Sequence, residues 1–171
     1  MERNRPAYLP ENGARNMGEL AKTLVNFGLV AIDTNIFIYY LQKEEFPACH
    51  TVLAAIFHAL EKGDFQGVSS VLMLTELLTL PQKLGEEHVA QHYYLLLKNF
   101  PNLKLLPVTE EVALRAAGIR GKWGLKTPDA LHIATAIEAG AKAFLTNDRS
   151  IGKGFPGLQV IYLSDFLPPQ N

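Results

Sequence analysis

The stretch LVAIDTNIFIYYL, residues 29–41, decides the fold of this chain. Its first four residues are apolar, and the polar residues Asp33, Thr34 and Asn35 follow them directly. A short apolar run that stops at polar residues is typical of a buried strand in a parallel sheet. Asn35 is expected to cap the helix IFIYYLQ that comes next. The stretch therefore predicts a strand that enters a helix through a polar turn.

Strand-like and helix-like segments alternate along the rest of the chain. Further strands are predicted at residues 65–70, 103–108, 141–146 and 158–163. Helices are predicted over 17–27, from Pro47 to Gly63, over 70–85 and 86–100, from Thr109 onward, and over 128–139. The last of these has Thr127 as its predicted N-cap, Pro128 as its first residue and Gly140 at its C-terminal end. This alternation predicts a three-layer α/β/α sandwich with a mostly parallel central sheet. We expect residues 1–28 to be a flexible lead-in with a short helix, 29–165 the domain, and 166–171 a C-terminal tail.

Composition limits the classes of function. The length of 171 residues suits one α/β domain, and a net charge of −1 gives no overall basic surface for nucleic acid, so any such surface must be local. Cys49 is the only cysteine, which excludes an intramolecular disulfide and a cysteine-rich zinc site. No apolar run approaches the length of a signal-peptide core or a membrane span. We therefore expect a cytoplasmic protein with no membrane partner.

Four acidic residues lie where solubility alone would not place them. Asp33 and Asp148 each follow a predicted strand by at most two residues, and ligands of parallel sheets bind beyond the carboxyl ends of strands. Glu76 is surrounded on its helix by mostly apolar neighbours at three and four residues, which are Leu72, Met73, Thr79 and Leu80. Asp129 opens the helix of residues 128–139. If the four face one pocket, their charges repel, and a divalent cation would relieve the repulsion.

Each of these acids also has an ordinary interpretation. Asp33 and Asp148 suit helix caps or turns, and Asp129 is favoured at a helix N-terminus by the helix dipole. Glu76 could occupy a narrow solvent-facing strip, and His132, three residues after Asp129, could be a half-buried core histidine. Taken as a set, oxygen ligands favour Mg²⁺ or Mn²⁺ over zinc. Such an ion would lower the pKa of a bound water and neutralise charge on a phosphate, which indicates phosphodiester hydrolysis.

Four segments resemble the PIN-domain ribonucleases: VAIDTNIFIYYL, the TELL of the helix with Glu76, LKTPDALHIATAIEAGA and FLTNDRSI. Their order and spacing agree with that family from about residue 29 to 165. The resemblance implies Mg²⁺- or Mn²⁺-dependent endonucleolytic cleavage of RNA. It assigns the metal site to Asp33, Glu76, Asp129 and Asp148, with Thr34, Asn35, Thr146 and Asn147 as supporting residues.

The size class resembles the VapC-type toxins, which implies a small antitoxin bound across the acidic groove. The exposed face of IFIYYL and the following helix are predicted to serve either a homodimer or that antitoxin. PIN proteins of RNA processing and non-catalytic PIN scaffolds share the pattern, and a scaffold would be indicated by a lost acid. All four acids are present.

A locally basic run precedes Asp129. RNA contacts are predicted for Arg115, Arg120, Lys122, Trp123, Lys126, Arg149 and Lys153. The alternative for residues 115–126 is a solvated loop whose tryptophan packs on the core.

Two other site types fit poorly. A phospho-acceptor receiver domain needs an aspartate after its middle strand, where this chain has Pro107, Val108 and Thr109. His88 and His92 have the spacing of zinc ligands on a helix, but Val89 stands where the glutamate of a zinc-protease motif would be.

Overall fold

Five parallel strands form the central sheet of the computed structural model, which describes residues 18–167. The strands are β1 (Leu29–Ile32), β2 (Gln66–Ser70), β3 (Leu103–Leu106), β4 (Ala143–Thr146) and β5 (Gln159–Tyr162). Their order is β3-β2-β1-β4-β5, and every neighbouring pair is parallel. The chain builds outward from β1 to β3 and then crosses to β4 on the other side of β1. The direction of building therefore reverses between β1 and β4, where open parallel sheets bind ligands.

Helices cover both faces of the sheet, as the sequence predicted. One face carries α1 (Glu19–Val25), α2 (Thr34–Leu41), α3 (Pro47–Lys62), α4 (Leu72–Lys83) and α5 (Glu87–Lys98). The other carries α6 (Glu110–Trp123) and α7 (Thr127–Glu138). Short 3-10 helices follow β4 at Arg149–Ile151 and β5 at Leu163–Phe166. The three-layer α/β/α sandwich is confirmed.

Strand periodicity divides the core into two parts. In β1, Val30 and Ile32 pack with the first group of helices, while Ala31 packs with α6 and α7. Successive side chains of a strand point to opposite faces, so a wholly apolar strand serves both layers. Full burial of an aliphatic or aromatic side chain stabilises a fold by about 1.5 to 3 kcal/mol. Phe57 of α3 belongs to this class, and its ring lies 4.0 Å from that of Tyr40 and 5.2 Å from that of Phe37.

Several helix starts differ from the prediction by one or two residues, and three of them bear on the site. Asp33, not Asn35, caps α2: its backbone is extended and its side chain accepts the Thr34 N–H, while Asn35 lies inside the helix. Lys126 rather than Thr127 is the N-cap of α7, a difference of one residue that is common at helix ends. Helix α4 begins at Leu72 rather than at residue 70, because Ser70 still pairs with β3.

The segment before β1 contributes to the core. Leu20 and Leu24 of α1 are fully buried and pack in the same cluster as α2 to α5. Residues 1–17 of the predicted lead-in (1–28) and residues 168–171 of the predicted tail (166–171) lie outside the described residues, so the predicted division of the chain stays a prediction. Within residues 18–167, no helix has both the length and the apolar character that crossing a membrane requires.

Candidate active site

The turns after β1 and β4 lie side by side. Ile32 is paired with Leu145, and the next backbone N–H, that of Asp33, donates to the Leu145 carbonyl at 2.9 Å. Asp33 follows β1 directly, and Asp148 comes two residues after the end of β4. The structure therefore brings Asp33 and the turn of Asp148 together at the carboxyl end of the sheet, where the order of strands reverses.

Asp33 is a buried carboxylate held by three hydrogen bonds. Its Oδ1 accepts the Thr34 N–H at 2.7 Å, and its Oδ2 accepts Asn35 Nδ2 at 2.7 Å and Thr146 Oγ1 at 2.6 Å. Burial raises the pKa of Asp33, and the negative charge of Glu76 adds to the effect. The hydrogen bonds from Thr146 and Thr34 and the charge of His132 act against it, but the net pKa remains above its ordinary value. The fold thus holds a negative charge that its surroundings only partly compensate.

A polar network joins the ends of β1, β4 and β5. Thr146 Oγ1 accepts the Asp148 N–H at 3.0 Å, and Asn35 Oδ1 accepts the Asn147 N–H at 3.1 Å. Asn147 Oδ1 in turn accepts the Ser164 N–H, beyond β5, at 2.9 Å. The four residues assigned supporting roles from sequence therefore contact the acids or the turns that carry them. They fix the shape of the site, because each turn is tied to a neighbouring strand end.

Glu76 reaches the same site from α4. Its Oε2 accepts Thr34 Oγ1 at 2.5 Å and His132 Nε2 at 2.9 Å, and its side chain is 33% exposed. Burial raises the pKa of Glu76, but the hydrogen bonds from His132 and Thr34 outweigh burial, so the net pKa is lowered. The alternative of a solvent-facing Glu76 is therefore correct only in part, because the side chain is partly exposed but its Oε2 accepts hydrogen bonds from Thr34 and His132.

His132 is the residue whose importance sequence analysis missed. It is buried in α7 and contacts both Glu76 and, at 3.4 Å, Thr34 Oγ1. Burial lowers the pKa of His132, but the hydrogen bond to Glu76 and the charges of Asp33, Glu76 and Asp129 together raise it by more, so the net shift is upward. A carboxylate only accepts, and the Thr34 hydroxyl hydrogen is used on Glu76, so Nε2 carries the proton. The available signal was its position three residues after Asp129, on a similar face of α7.

Asp129 lies in the first turn of α7. Burial raises its pKa, and the charges of Asp148 and Glu76 raise it further, while His132 and Lys126 act in the opposite direction. Since Asp33 also interacts with Glu76, electrostatic interactions connect all four predicted acids. Each comes from a different segment of the chain.

The donor set is suited to a hard divalent cation. Its carboxylates offer oxygen ligands, and burial together with the charges of neighbouring acids raises the pKa of Asp33 and Asp129, so a bound cation would stabilise their charged forms. Among residues 18–167, however, no group of three or more His, Cys, Asp or Glu side chains is arranged to hold a metal ion. Mg²⁺ usually keeps several waters and takes one or two carboxylates together with substrate phosphate oxygens. The residues fit an ion bound in that open manner.

The predicted RNA-contact residues are dispersed. Arg115 pairs with Glu138 near the far end of α7, nine residues after Asp129 and so about 13 Å along the helix axis. Arg120 donates through Nε to the Leu125 carbonyl at 3.2 Å, and so supports the connection between α6 and α7. Lys126 lies close enough to Asp129 for its charge to lower the pKa of that acid. Of the basic residues in 115–126, Lys126 is therefore the one with a direct electrostatic effect on the site.

The structure also corrects the character of this run. Residues up to Trp123 belong to α6 rather than to a loop, and the Trp123 ring lies 5.1 Å from that of Phe155. The Lys122 ammonium lies 4.4 Å from the Trp123 ring centroid, so both side chains have intramolecular partners.

Two basic residues after β4 are likewise engaged. Arg149 pairs with Asp165 and lies 4.3 Å over the Tyr162 ring, and the Lys153 ammonium is 5.1 Å from the same ring. An RNA phosphate would have to compete with these contacts.

Known proteins agree with this architecture. Two solved structures are similar to the chain. The first is a toxin–antitoxin complex from Klebsiella pneumoniae, with 24% identity and a TM-score of 0.55 over 75% of this chain and 94% of that chain. The second is VapBC2 from Rickettsia felis bound to a DNA fragment from their promoter, with 18% identity and a TM-score of 0.62 over 78% of this chain and 98% of that chain. These identities establish a shared fold. Curated proteins give no significant match. The model of the PIN domain family matches residues 30–153, most of the chain and all four acids, so the chain belongs to the PIN domain family.

Proposed function

We propose that this protein is a metal-dependent endoribonuclease. PIN domains are in general nucleases, and this chain keeps an acid at each of the four positions that the family resemblance assigns. The observation that carries the proposal is the convergence of Asp33, Glu76, Asp129 and Asp148 at the point where the strand order reverses. Burial and mutual repulsion raise the pKa of Asp33 and Asp129, and carboxylates with perturbed pKa values are concentrated at functional sites.

Each acid has a distinct role in this proposal. Asp33, Asp129 and Asp148 would hold Mg²⁺ or Mn²⁺ directly or through water, and Glu76 would be a further ligand or would orient the attacking water. The bound ion would make that water a better nucleophile and neutralise charge on the phosphate. Asp33 is held by its three hydrogen bonds in a fixed orientation. A site built on strand ends and helices keeps such an orientation more accurately than a mobile loop.

RNA would approach the carboxyl end of the sheet. Lys126 is the basic residue best placed to meet a phosphate near Asp129, since its charge already acts on that acid. Trp123 and Lys122 would contribute only after leaving their intramolecular contacts. The positive charge is thus local, in keeping with a net charge of −1 for the whole chain.

Cleavage of a mixed pool of structured RNAs tests the proposal. We expect cleavage with Mg²⁺ or Mn²⁺, none with EDTA, and none from an Asp129→Asn variant that keeps the fold. Arg115→Ala is the matched control, because Arg115 is paired with Glu138 away from the site. Metal-independent cleavage, or equal activity of Asp129→Asn and the wild type, would contradict the assigned mechanism.

The first biological role to test is that of a toxin in a toxin–antitoxin pair. One structure with the same fold is described as a toxin–antitoxin complex and the other as VapBC2 bound to promoter DNA, which supports an antitoxin partner for this chain. Expression of the wild type should then arrest growth of the host cell, and Asp129→Asn should not. Growth at the normal rate with active, folded enzyme would favour the alternative of a PIN nuclease in RNA processing. Folded protein that binds RNA without cutting it would favour a non-catalytic scaffold.

A homodimer and a cytoplasmic location are also part of the proposal. The helix IFIYYL offers little surface for a dimer, since Ile36 and Phe37 of α2 are buried and its other apolar residues pack against the core. Large exposed apolar side chains include Leu80 on α4, Leu84 directly after it, Leu95 on α5 and Leu114 on α6. These are the positions to alter when the oligomeric state is measured.

A further inference from the structure

His132 connects three helices that meet at the site. It projects from α7, and its Nε2 lies 2.9 Å from Glu76 Oε2 on α4 and 3.4 Å from Thr34 Oγ1 on α2. The side chain is 3% exposed, so burial and its contacts with Glu76 and Thr34 fix the imidazole. A donor fixed in this way also fixes the carboxylate that accepts from it.

The two hydrogen bonds to Glu76 fall on the same oxygen. Thr34 Oγ1 and His132 Nε2 both donate to Oε2, and Oε1 has no hydrogen bond within residues 18–167. Oε2 is therefore occupied, and Oε1 is the oxygen left for an ion or its bound water. A long glutamate side chain on a partly exposed helix face would otherwise have several rotamers open to it.

We infer that His132 is a positioning residue that holds Glu76 through Oε2 and so presents Oε1 to the metal ion. The inference rests on the proposed function, because it concerns how Glu76 serves that site. Groups that orient metal ligands typically change metal affinity by about 10- to 100-fold when they are removed. If the His132–Glu76 hydrogen bond between α7 and α4 served stability alone, its removal would change the free energy of unfolding and leave metal affinity unaltered.

Titration of purified, folded protein with Mn²⁺, followed by electron paramagnetic resonance of the free ion, tests this inference without using activity. His132→Leu removes the donor and should weaken Mn²⁺ binding about tenfold or more. His132→Gln retains a side-chain N–H donor and should recover most of the wild-type affinity. Thr135→Val is the matched control: Thr135 is buried one turn further along α7 and bonds only to the Leu131 carbonyl, so its replacement should leave Mn²⁺ affinity unchanged.

A double-mutant cycle isolates the pair. In a Glu76→Gln background, His132→Leu should cause little further loss of Mn²⁺ affinity, because the group that it positions is gone. Unchanged affinity in His132→Leu, equal losses in His132→Leu and His132→Gln, or a full loss in the Glu76→Gln background would each overturn the inference. In those three outcomes the wild type still binds Mn²⁺. A folded wild type that binds no Mn²⁺ would overturn the proposed function, and this inference with it.

Discussion

Replacing Thr146 with valine should destabilise the protein far more than the same change at another buried threonine. Thr146 is fully buried at the end of β4. Its hydroxyl donates to Asp33 at 2.6 Å and accepts the Asp148 N–H at 3.0 Å and Asn35 Nδ2 at 3.1 Å. Valine keeps the shape and the strand preference but provides none of these bonds. Losing a hydrogen bond to a charged group costs about 1.5 to 3 kcal/mol, and an unsatisfied buried donor costs about 1 to 3 kcal/mol more.

The expected decrease in the free energy of unfolding is therefore about 3 kcal/mol, because a water molecule can satisfy part of the bonding that the buried donor loses. For a chain of this length that corresponds to a fall in Tm of roughly 6 to 12 °C. Thr135→Val is the control, since that hydroxyl bonds only within its own helix, and we expect a loss below about 1 kcal/mol. Urea unfolding of both metal-free variants measures the difference. Equal stability of the two variants would refute the view that the polar network organises the site.

Other expectations follow from the charges at the site. The stability advantage of wild type over Glu76→Gln should be largest between pH 4.5 and 6.5. Because folding lowers the pKa of Glu76, its contribution to stability is present above pH 4.5 and is lost as the pH falls through the pKa of the folded state. Because folding raises the pKa of His132, its contribution is present below pH 6.5 and is lost as the pH rises through the pKa of the folded state. Urea unfolding from pH 4 to 9 would show a flat difference if the pair were not formed. Mn²⁺ at 100 times its Kd should stabilise wild type by about 2.7 kcal/mol, a rise in Tm of roughly 5 to 10 °C, and Asp129→Asn should lose most of that rise. An equal shift in both proteins would place the ion elsewhere. Lys126→Ala should raise the KM for RNA and reduce the slope of log KM against log salt concentration by about 1. Arg115→Ala should leave the KM and this slope within about twofold of the wild type. Equal effects in cleavage assays at several salt concentrations would contradict the assignment of these two residues.

The layered architecture was predictable because local patterns determine it. The run LVAI at residues 29–32 is continuously apolar, and such a run must be covered on both faces. Predicted strands and helices alternate along the chain, and this alternation requires parallel strands with helices between them. The observed sheet follows, with boundaries that differ by one or two residues at most ends. Helix caps were less accurate, since either Asp33 or Asn35 could accept the first N–H groups and only the extended backbone at Asp33 decides which one does.

Candidate acids could be identified from sequence, but their relations to each other could not. Asp33, Glu76, Asp129 and Asp148 stood out because each occupies a position where solubility is a poor explanation. Sequence spacing does not reveal that Thr34 bridges Glu76 and Asp33, because the Thr34–Glu76 hydrogen bond joins residues 42 positions apart.

By itself, the sequence determined the strand and helix pattern, the membership of the acidic set and the local basic run before Asp129. Only the tertiary structure decided that His132 contacts Glu76, that Arg115 pairs with Glu138 near the far end of α7, and that Thr146 donates to Asp33. The physical reason is the range of the interactions. Hydrophobic periodicity and capping act over a few residues, so they can be read along the chain. Hydrogen bonds and charge interactions across the site depend on which strand ends become neighbours, and that is set by the β3-β2-β1-β4-β5 order.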